Sequence, residues 1–240
     1  MPTPVERRDD AASGRERRVI SRTGLRLESR AKDGGQAVQH VVGHAAVFDS
    51  WTTLYEGRYY VWREIVRKGA FSRAIAEGQD VRSLFNHNPD WILGRTVSGT
   101  LTLREDEVGL LTDTDPTPTQ FIADLVVAPI GRGDISQMSF AFTTNRTKQV
   151  VTTVEGVTVI DLGGERITLR TEGEQTVEER ELLDLDLYDT SPVTYPAYLD
   201  TDVALRSLAE KREQEIRGMA GRRSARMRMR ARLAEARTKL

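Results

Sequence analysis

Cysteine is absent from this chain of 240 residues, and histidine is nearly so. Without a thiol, the chain has no disulfide bond, no zinc–thiolate site and no cysteine nucleophile. The only histidines are His40, His44 and His87, so any imidazole that acts as a general base is one of these three. No second histidine lies near His87 in the sequence, and we therefore predict neither a metal site nor a cofactor.

Long apolar segments are also lacking. No run approaches the 18 apolar residues of a membrane-spanning helix, so we predict no contact with a membrane. The first 18 residues contain no apolar stretch of the kind found in secretory signals, which favours a cytoplasmic location. With 38% hydrophobic residues, the composition suits one compact domain with appendages.

Charge is distributed unevenly although the net charge is only -1. The segment from Arg206 to Leu240 contains 12 Lys or Arg against 4 Asp or Glu, whereas the rest of the chain contains 23 against 32. We predict a basic helical tail over residues 206–240, which contacts an acidic partner, nucleic acid or the body of the protein, or is simply a solvated helix. Nucleic acid is the least favoured partner, because no aromatic residues are interleaved with the arginines.

Short alternating segments predict a mostly antiparallel β-body with two or three short helices, arranged as a small barrel or sandwich. Residues 1–18 are predicted to be a flexible arm and residues 19–205 a single domain. The clearest strand runs from Ser136 to Thr144, with bulky residues on one face only. Residues 118–130 have helical spacing, closed by Pro129 and Gly131. Residues 146–179 are predicted to form an extra β-hairpin, and residues 181–189 one core strand.

Two of these segments carry candidate catalytic residues. His87 ends a predicted strand and opens a polar turn, where an imidazole can reach a cleft or simply face solvent. Ser139 shares its strand face with small residues, and it is either a nucleophile or an ordinary strand serine. A serine nucleophile needs a base, and the base needs an orienting group. The carboxylates of Asp184, Asp186 and Asp189 are candidates for that group, and the residues alone do not choose among them.

Six segments taken together resemble the prohead protease family of tailed bacteriophages, which is related to herpesvirus assemblin. The resemblance spans residues 43–201. The segments are GHAAVF at 43–48, IVRKGAF at 65–71, DVRSLFNHNP at 80–89, LGRTVSGTL at 93–101, GRGDISQMSF at 131–140 and DTSPVTYPA at 189–197.

The resemblance places the family's catalytic histidine on His87, its nucleophile on Ser139 and its acidic residue on Asp189. An oxyanion hole is also required, for which the resemblance makes Arg95, Arg132 or their neighbouring amides candidates. The sequence departs from the family pattern at His44, where tyrosine is usual, and in the length of the 146–179 segment.

The resemblance further implies an assemblin-like antiparallel β-barrel wrapped by short helices. The implied activity is serine endopeptidase cleavage of the scaffold, of the N-terminal segment of the major capsid protein, and of the protease's own tail. Such an enzyme is expected inside the prohead in the host cytoplasm, as a homo-oligomer, for which a dimer is one option. The alternative is a catalytically silent capsid-assembly or scaffolding protein of the same fold.

Overall fold

The structure is a computed structural model that describes residues 15–20, 23–31, 37–195 and 206–218. Fifteen strands lie in these ranges. They are β1 (Glu16–Ile20), β2 (Arg26–Ala31), β3 (Ala37–Val47), β4 (Thr52–Glu56), β5 (Tyr60–Val66), β6 (Arg82–Phe85), β7 (Asn88–Arg95), β8 (Leu101–Glu105), β9 (Gly109–Thr114), β10 (Gln137–Thr144), β11 (Arg146–Val154), β12 (Val157–Gly163), β13 (Glu165–Glu172), β14 (Gln175–Leu182) and β15 (Leu185–Val193).

These strands form three sheets. The first has the order β1-β10-β15-β6-β7, the second β11-β12-β13-β14-β5-β4, and the third β2-β3-β9-β8. Most neighbours are antiparallel, but β15 with β6 and β14 with β5 are parallel pairs. The mostly-β class is confirmed. None of the three strand orders closes on itself within the described residues, so the predicted barrel is not observed as a continuous sheet.

The main core lies where the first sheet packs on the third. Phe140 and Phe142 of β10 stack with ring centroids 5.1 Å apart, and Phe71 meets Phe140 edge-on at 5.6 Å. Gly43 permits the close approach of β3, because a Cβ atom there would lie 2.8 Å from the sulfur of Met138. Strand β10 is therefore buried on both faces from Met138 to Phe142, not on one face as the alternation predicted.

The chain differs from the sequence prediction in the region after β10. The 146–179 segment is not one hairpin: it contains β11, β12, β13 and most of β14, which join β5 and β4 in a six-stranded sheet. The chain turns at Gly156 and again at residues 163–164, which separates these strands. The predicted 181–189 strand is split, because the backbone N–H groups of Leu183 and Asp184 turn back to the carbonyl of Gly164.

Three short helices lie between the strands in the part of the chain that the structure describes. Helix α1 spans Ser72–Ala76, α2 spans Gln120–Ile122 and α3 spans Ala128–Arg132, with a π-helical turn over Ala123–Val127 between the last two. The prediction that Pro129 and Gly131 end the helix is wrong. Pro129 lies in the first turn of α3, where its missing N–H is tolerated, and the helix ends at Gly133, whose φ is +84°.

The predicted arm and tail lie partly outside the described residues. Strand β1 begins at Glu16, inside the predicted arm, because Arg18 is held by Glu64 of β5. Residues 206–218 are helical, here named α4, and Ala209 packs on Tyr60 and Trp62. Residues 1–14 and 219–240 lie outside the described part. No helix in the described part is long and apolar enough to span a membrane.

Candidate functional site

Ser139 lies in the middle of β10, the second strand of the five-stranded sheet. Its neighbours across the sheet are Val19 of β1 on one side and Ser191 of β15 on the other. The residue is fully buried. The strand pairing on both sides fixes the backbone of Ser139, so the direction of its side chain is set by the sheet.

His87 lies in the two-residue turn that joins β6 to β7. Both turn residues are left-handed, with φ of +53° at Asn86 and +56° at His87, as a type I′ hairpin requires. The turn was predicted over residues 87–90, but β7 already begins at Asn88. Asn86 anchors the turn on the end of β15: its N–H donates to the carbonyl of Pro192 at 3.1 Å, and its Oδ1 accepts from the N–H of Thr194 at 2.9 Å.

The three candidate side chains form a continuous hydrogen-bonded chain. His87 Nε2 lies 2.6 Å from Ser139 Oγ, and His87 Nδ1 lies 2.6 Å from Asp189 Oδ1. With the proton on Nδ1, His87 donates to the carboxylate and its Nε2 accepts from the hydroxyl. This is the arrangement in which an imidazole can take a proton from a serine.

Of the three aspartates considered, Asp189 is the one that contacts His87. Asp184 and Asp186 instead bind the guanidinium of Arg73, at 2.9 Å and 2.7 Å. Partial burial raises the pKa of Asp186, but the hydrogen bonds from Arg73 and Gln79 and the positive charge of Arg73 together hold it below its usual value. Both carboxylates are thus engaged at another place in the fold.

A fourth side chain at this site was not predicted from the sequence. The buried hydroxyl of Ser191 donates to Asp189 Oδ1 at 2.9 Å, and its oxygen lies 3.4 Å from His87 Nδ1. Residues two apart on a strand share a face. That spacing was the available signal, but residues 190–192 were predicted to be turn-like, whereas β15 continues through them to Val193.

The two arginines considered for an oxyanion hole are engaged with carboxylates. Arg95 makes two hydrogen bonds of 2.6 Å to Asp80. Arg132 lies 3.2 Å from Asp134, and its side chain is 77% exposed. Neither guanidinium hydrogen-bonds a member of the Ser139–His87–Asp189 chain among the described residues, so their role remains a prediction.

The other two histidines also contact aspartates. His44 Nε2 lies 2.9 Å from Asp106, and His40 Nδ1 lies 2.8 Å from Asp113. Partial burial opposes the charge on Asp106, but hydrogen bonds from His44 and from the N–H groups of Gly109 and Val108 lower its pKa to about 2. In the part of the chain that is described, no cluster of three or more acidic or histidine side chains could hold a metal.

Comparison with known proteins decides the family. Residues 25–215 match the model of the caudovirus prohead serine protease family, which is well over half of the chain. The chain belongs to this family. The resemblance drawn from the six sequence segments is therefore confirmed.

Other comparisons add little to the family assignment. A solved structure, that of the bacteriophage T4 capsid assembly protease gp21, aligns with 75% of this chain and 99% of its own length. The two are 10% identical and the TM-score is 0.39, too low to carry an argument. No curated protein matches the chain.

Proposed function

We propose that this chain is a serine endopeptidase of prohead maturation, with Ser139 as the nucleophile, His87 as the base and Asp189 as the orienting carboxylate. The observation that carries the proposal is the hydrogen-bonded chain from Oγ to imidazole to carboxylate, with two contacts of 2.6 Å. Family membership independently supports proteolysis as the activity.

The proposed reaction is acyl transfer in two halves. As Ser139 Oγ attacks the peptide carbonyl, His87 Nε2 takes the hydroxyl proton, and Asp189 stabilises the resulting imidazolium. The imidazolium then returns this proton to the leaving amine. Water, activated by the same imidazole, hydrolyses the acyl-enzyme and restores the hydroxyl.

Ser191 acts in this proposal as a positioning residue. Its hydroxyl donates to the same carboxylate oxygen that faces His87 Nδ1. The donor limits rotation of the Asp189 carboxylate, which in turn limits rotation of the imidazole. An oriented base is needed because proton transfer depends steeply on donor–acceptor geometry.

For the oxyanion hole, Arg132 is a better candidate than Arg95. Arg95 is fixed to Asp80 by two short hydrogen bonds, whereas Arg132, the last residue of α3, has one longer contact, to Asp134 in the loop that follows. That loop leads directly into β10. Loss of an oxyanion donor typically lowers the rate by ~10²–10³-fold.

The site is closed to a substrate as it stands. Ser139 is fully buried, and the His87 side chain is only 6% exposed. A peptide carbonyl reaches Oγ only after neighbouring residues move. We therefore propose that the free enzyme is largely latent and that substrate binding or packaging opens the site.

The proposed substrates are the scaffold, the N-terminal scaffold segment of the major capsid protein and the protease's own tail, within the prohead in the host cell. The charge distribution supports this choice of partner. The 12 basic against 4 acidic residues of the 206–240 segment would attract an acidic scaffold.

Co-expression with the matching capsid precursor tests the proposal. The wild type is expected to shorten the precursor, as read by intact mass, whereas Ser139→Ala and His87→Ala leave it at full length. Matched controls are Ser98→Ala, an exposed serine, and His44→Ala, a histidine that also faces an aspartate. Shortened capsid subunits with Ser139→Ala would exclude Ser139 as the nucleophile and favour a silent assembly role.

A further inference from the structure

Strand β1 lies directly beside the candidate nucleophile. All five of its residues, Glu16–Ile20, pair with β10, and Val19 is the residue opposite Ser139. Directly opposed residues on antiparallel strands have their side chains on the same face of the sheet, with Cβ atoms ~4.5–5.5 Å apart. The side chain of Val19 is therefore the neighbour of the Ser139 side chain on the β1 side.

The other side of Ser139 is occupied by the groups that would act with it. Ser191 of β15 lies opposite Ser139 there, and Asp189 of the same strand contacts His87. Strand β15 cannot leave without dismantling this site. Strand β1, in contrast, is the last strand at its end of the sheet within the described residues. An extended peptide can therefore lie beside Ser139 in this sheet only at the position that β1 now holds.

The attachment of β1 differs from that of the core strands. Three of its five residues are charged, and its two apolar residues are only partly buried. Arg18 makes hydrogen bonds of 2.5 and 2.8 Å to Glu64, and Glu16 accepts two of 2.6 Å from Arg180. Buried ion pairs contribute little net stability, because the desolvation of the charges opposes their attraction. A strand held mainly in this way can be displaced with little loss of hydrophobic core.

The extent of the family match separates β1 from the strands that carry the candidate site. The match begins at residue 25, after β1 has ended. His87, Ser139 and Asp189 all lie within it. The strand that covers the nucleophile is thus outside the region by which the family is recognised, which suits a removable segment better than a part of the catalytic fold.

We propose that β1 occupies the substrate-binding edge of β10, and that a peptide substrate displaces β1 and pairs with β10 as an extended strand beside Ser139. Adding a strand to the edge of a sheet is a common way for a protein to bind a peptide. While β1 is paired, the substrate cannot reach the nucleophile. This inference rests on the proposed endopeptidase function, and it names the segment that keeps the free enzyme latent.

Locking β1 onto β10 with a disulfide is the first test, since the chain has no cysteine of its own. Arg17 and Ala141 are directly opposed on the two strands. Opposed residues have Cα atoms ~4.5–5.5 Å apart, within the range that a disulfide spans. After mild oxidation, the full chain with Arg17→Cys and Ala141→Cys should cleave purified capsid precursor at least about tenfold more slowly than the same protein after reduction, because the open state is removed.

The control for the lock is the double variant Ser29→Cys with Gln39→Cys, an opposed and exposed pair on β2 and β3. Its oxidation should leave the cleavage rate unchanged, because it does not restrain β1. Formation of each disulfide is read by intact mass. If the locked β1 variant cleaved the precursor as fast as its reduced form, the proposal would be overturned.

Weakening the attachment of β1 should have the opposite effect, and it decides the question even if the cysteine pair lowers activity in its reduced form. Glu16→Gln removes the charge that Arg180 binds, so the cleavage rate should rise about threefold or more as the open state becomes more populated. The matched control is Arg146→Gln, which breaks an ion pair with Glu165 in the same charged cluster but not with β1. A rate for Glu16→Gln no higher than that of the control would contradict the proposal.

Adding Ser139→Ala to Glu16→Gln separates this inference from the proposed function. If the precursor were still shortened by the double variant, the catalytic proposal would fail, and this inference with it. If cleavage depended on Ser139 but responded neither to the lock nor to Glu16→Gln, the catalytic proposal would stand and β1 would not cover the substrate-binding edge.

Discussion

His87 and His44 make the same kind of contact with an aspartate, yet only one of them belongs to a candidate catalytic site. The imidazole of His87 lies 2.6 Å from Asp189 and that of His44 lies 2.9 Å from Asp106. The difference is on the opposite ring nitrogen: His87 reaches a serine hydroxyl there, whereas no hydroxyl bonds the other nitrogen of His44 among the described residues. A histidine–aspartate contact alone therefore says little about catalysis.

The backbones that carry the two histidines differ as well. His44 lies within β3 opposite Leu111 of β9, beside a register shift between His44 and Ala46, and its φ is not positive, so most residues could occupy the position. His87 occupies the second position of a type I′ turn, where φ is positive and glycine is favoured. A side chain in such a conformation costs of order 1 kcal/mol or more, and such costs cluster at functional sites. The histidine in the strained backbone conformation, His87, is thus the one whose imidazole contacts the Ser139 hydroxyl.

Replacing each aspartate with asparagine is the most direct test of the difference between the His87–Asp189 and His44–Asp106 pairs. Asp189→Asn is expected to lower the rate of capsid-precursor cleavage by ~10⁴-fold, because an amide N–H facing Nδ1 leaves the proton on Nε2, which then cannot accept from Ser139. Asp106→Asn is expected to change the rate by less than about twofold. The measurement is a time course of precursor cleavage at equal protease levels. Similar losses in both variants would remove the distinction between the two pairs.

Ser191 allows a second test of the His87–Asp189 pair, because its hydroxyl is a hydrogen-bond donor to Asp189 that is not a histidine. Ser191→Ala is expected to lower kcat about tenfold with little change in KM. Without the Ser191 hydroxyl, the Asp189 carboxylate loses one hydrogen bond to its negative charge. It therefore binds the protonated imidazole of His87 more strongly. The acid limb of the pH–rate profile should move to higher pH.

The control for Ser191→Ala is Thr190→Val, a change at an adjacent buried residue whose hydroxyl has no hydrogen-bond partner among the described residues. This variant should leave the pH profile in place. If Ser191→Ala changed only the melting temperature and not the pH profile, its role would be structural.

Local patterns in the sequence made His87 and Ser139 candidates but left a solvent-facing histidine and an ordinary strand serine as alternatives, and the family resemblance chose between them. The positions of His87 and Ser139 were proposed from a strand end and a strand face, and the structure brings them together. The choice of Asp189 over Asp184 and Asp186 came from family resemblance. The residues alone could not make it, because what excludes the other two carboxylates is their hydrogen bonding to Arg73. That ion pair joins residues more than 100 positions apart, and no local pattern encodes it.

The fold was predicted less well than the site, for a related reason. Alternation identifies strands but does not say which strands pair, and the six-stranded sheet depends on a parallel pairing of β14 with β5. Two buried arginines from distant strands, Arg18 and Arg180, share Glu64 at the seam between the first and second sheets. Charged residues of this kind weaken the hydrophobic pattern from which a core strand is recognised. The extra sheet was consequently predicted as a single hairpin.

The smallest expected effect concerns stability at the second histidine–aspartate pair. The pKa of Asp106 is about 2 in the folded protein against an ordinary value of 3.8, so the charged carboxylate stabilises the fold at any pH above about 4. This contribution is lost as the pH falls through 2. Asp106→Asn should therefore lower the melting temperature by about 2–4 °C at pH 6, with the difference from wild type vanishing near pH 2. Because the asparagine Oδ1 can still accept from Val108 and Gly109, the change isolates the charge. A difference that stayed constant over this pH range would mean that packing, rather than the carboxylate charge, is what Asp106 supplies.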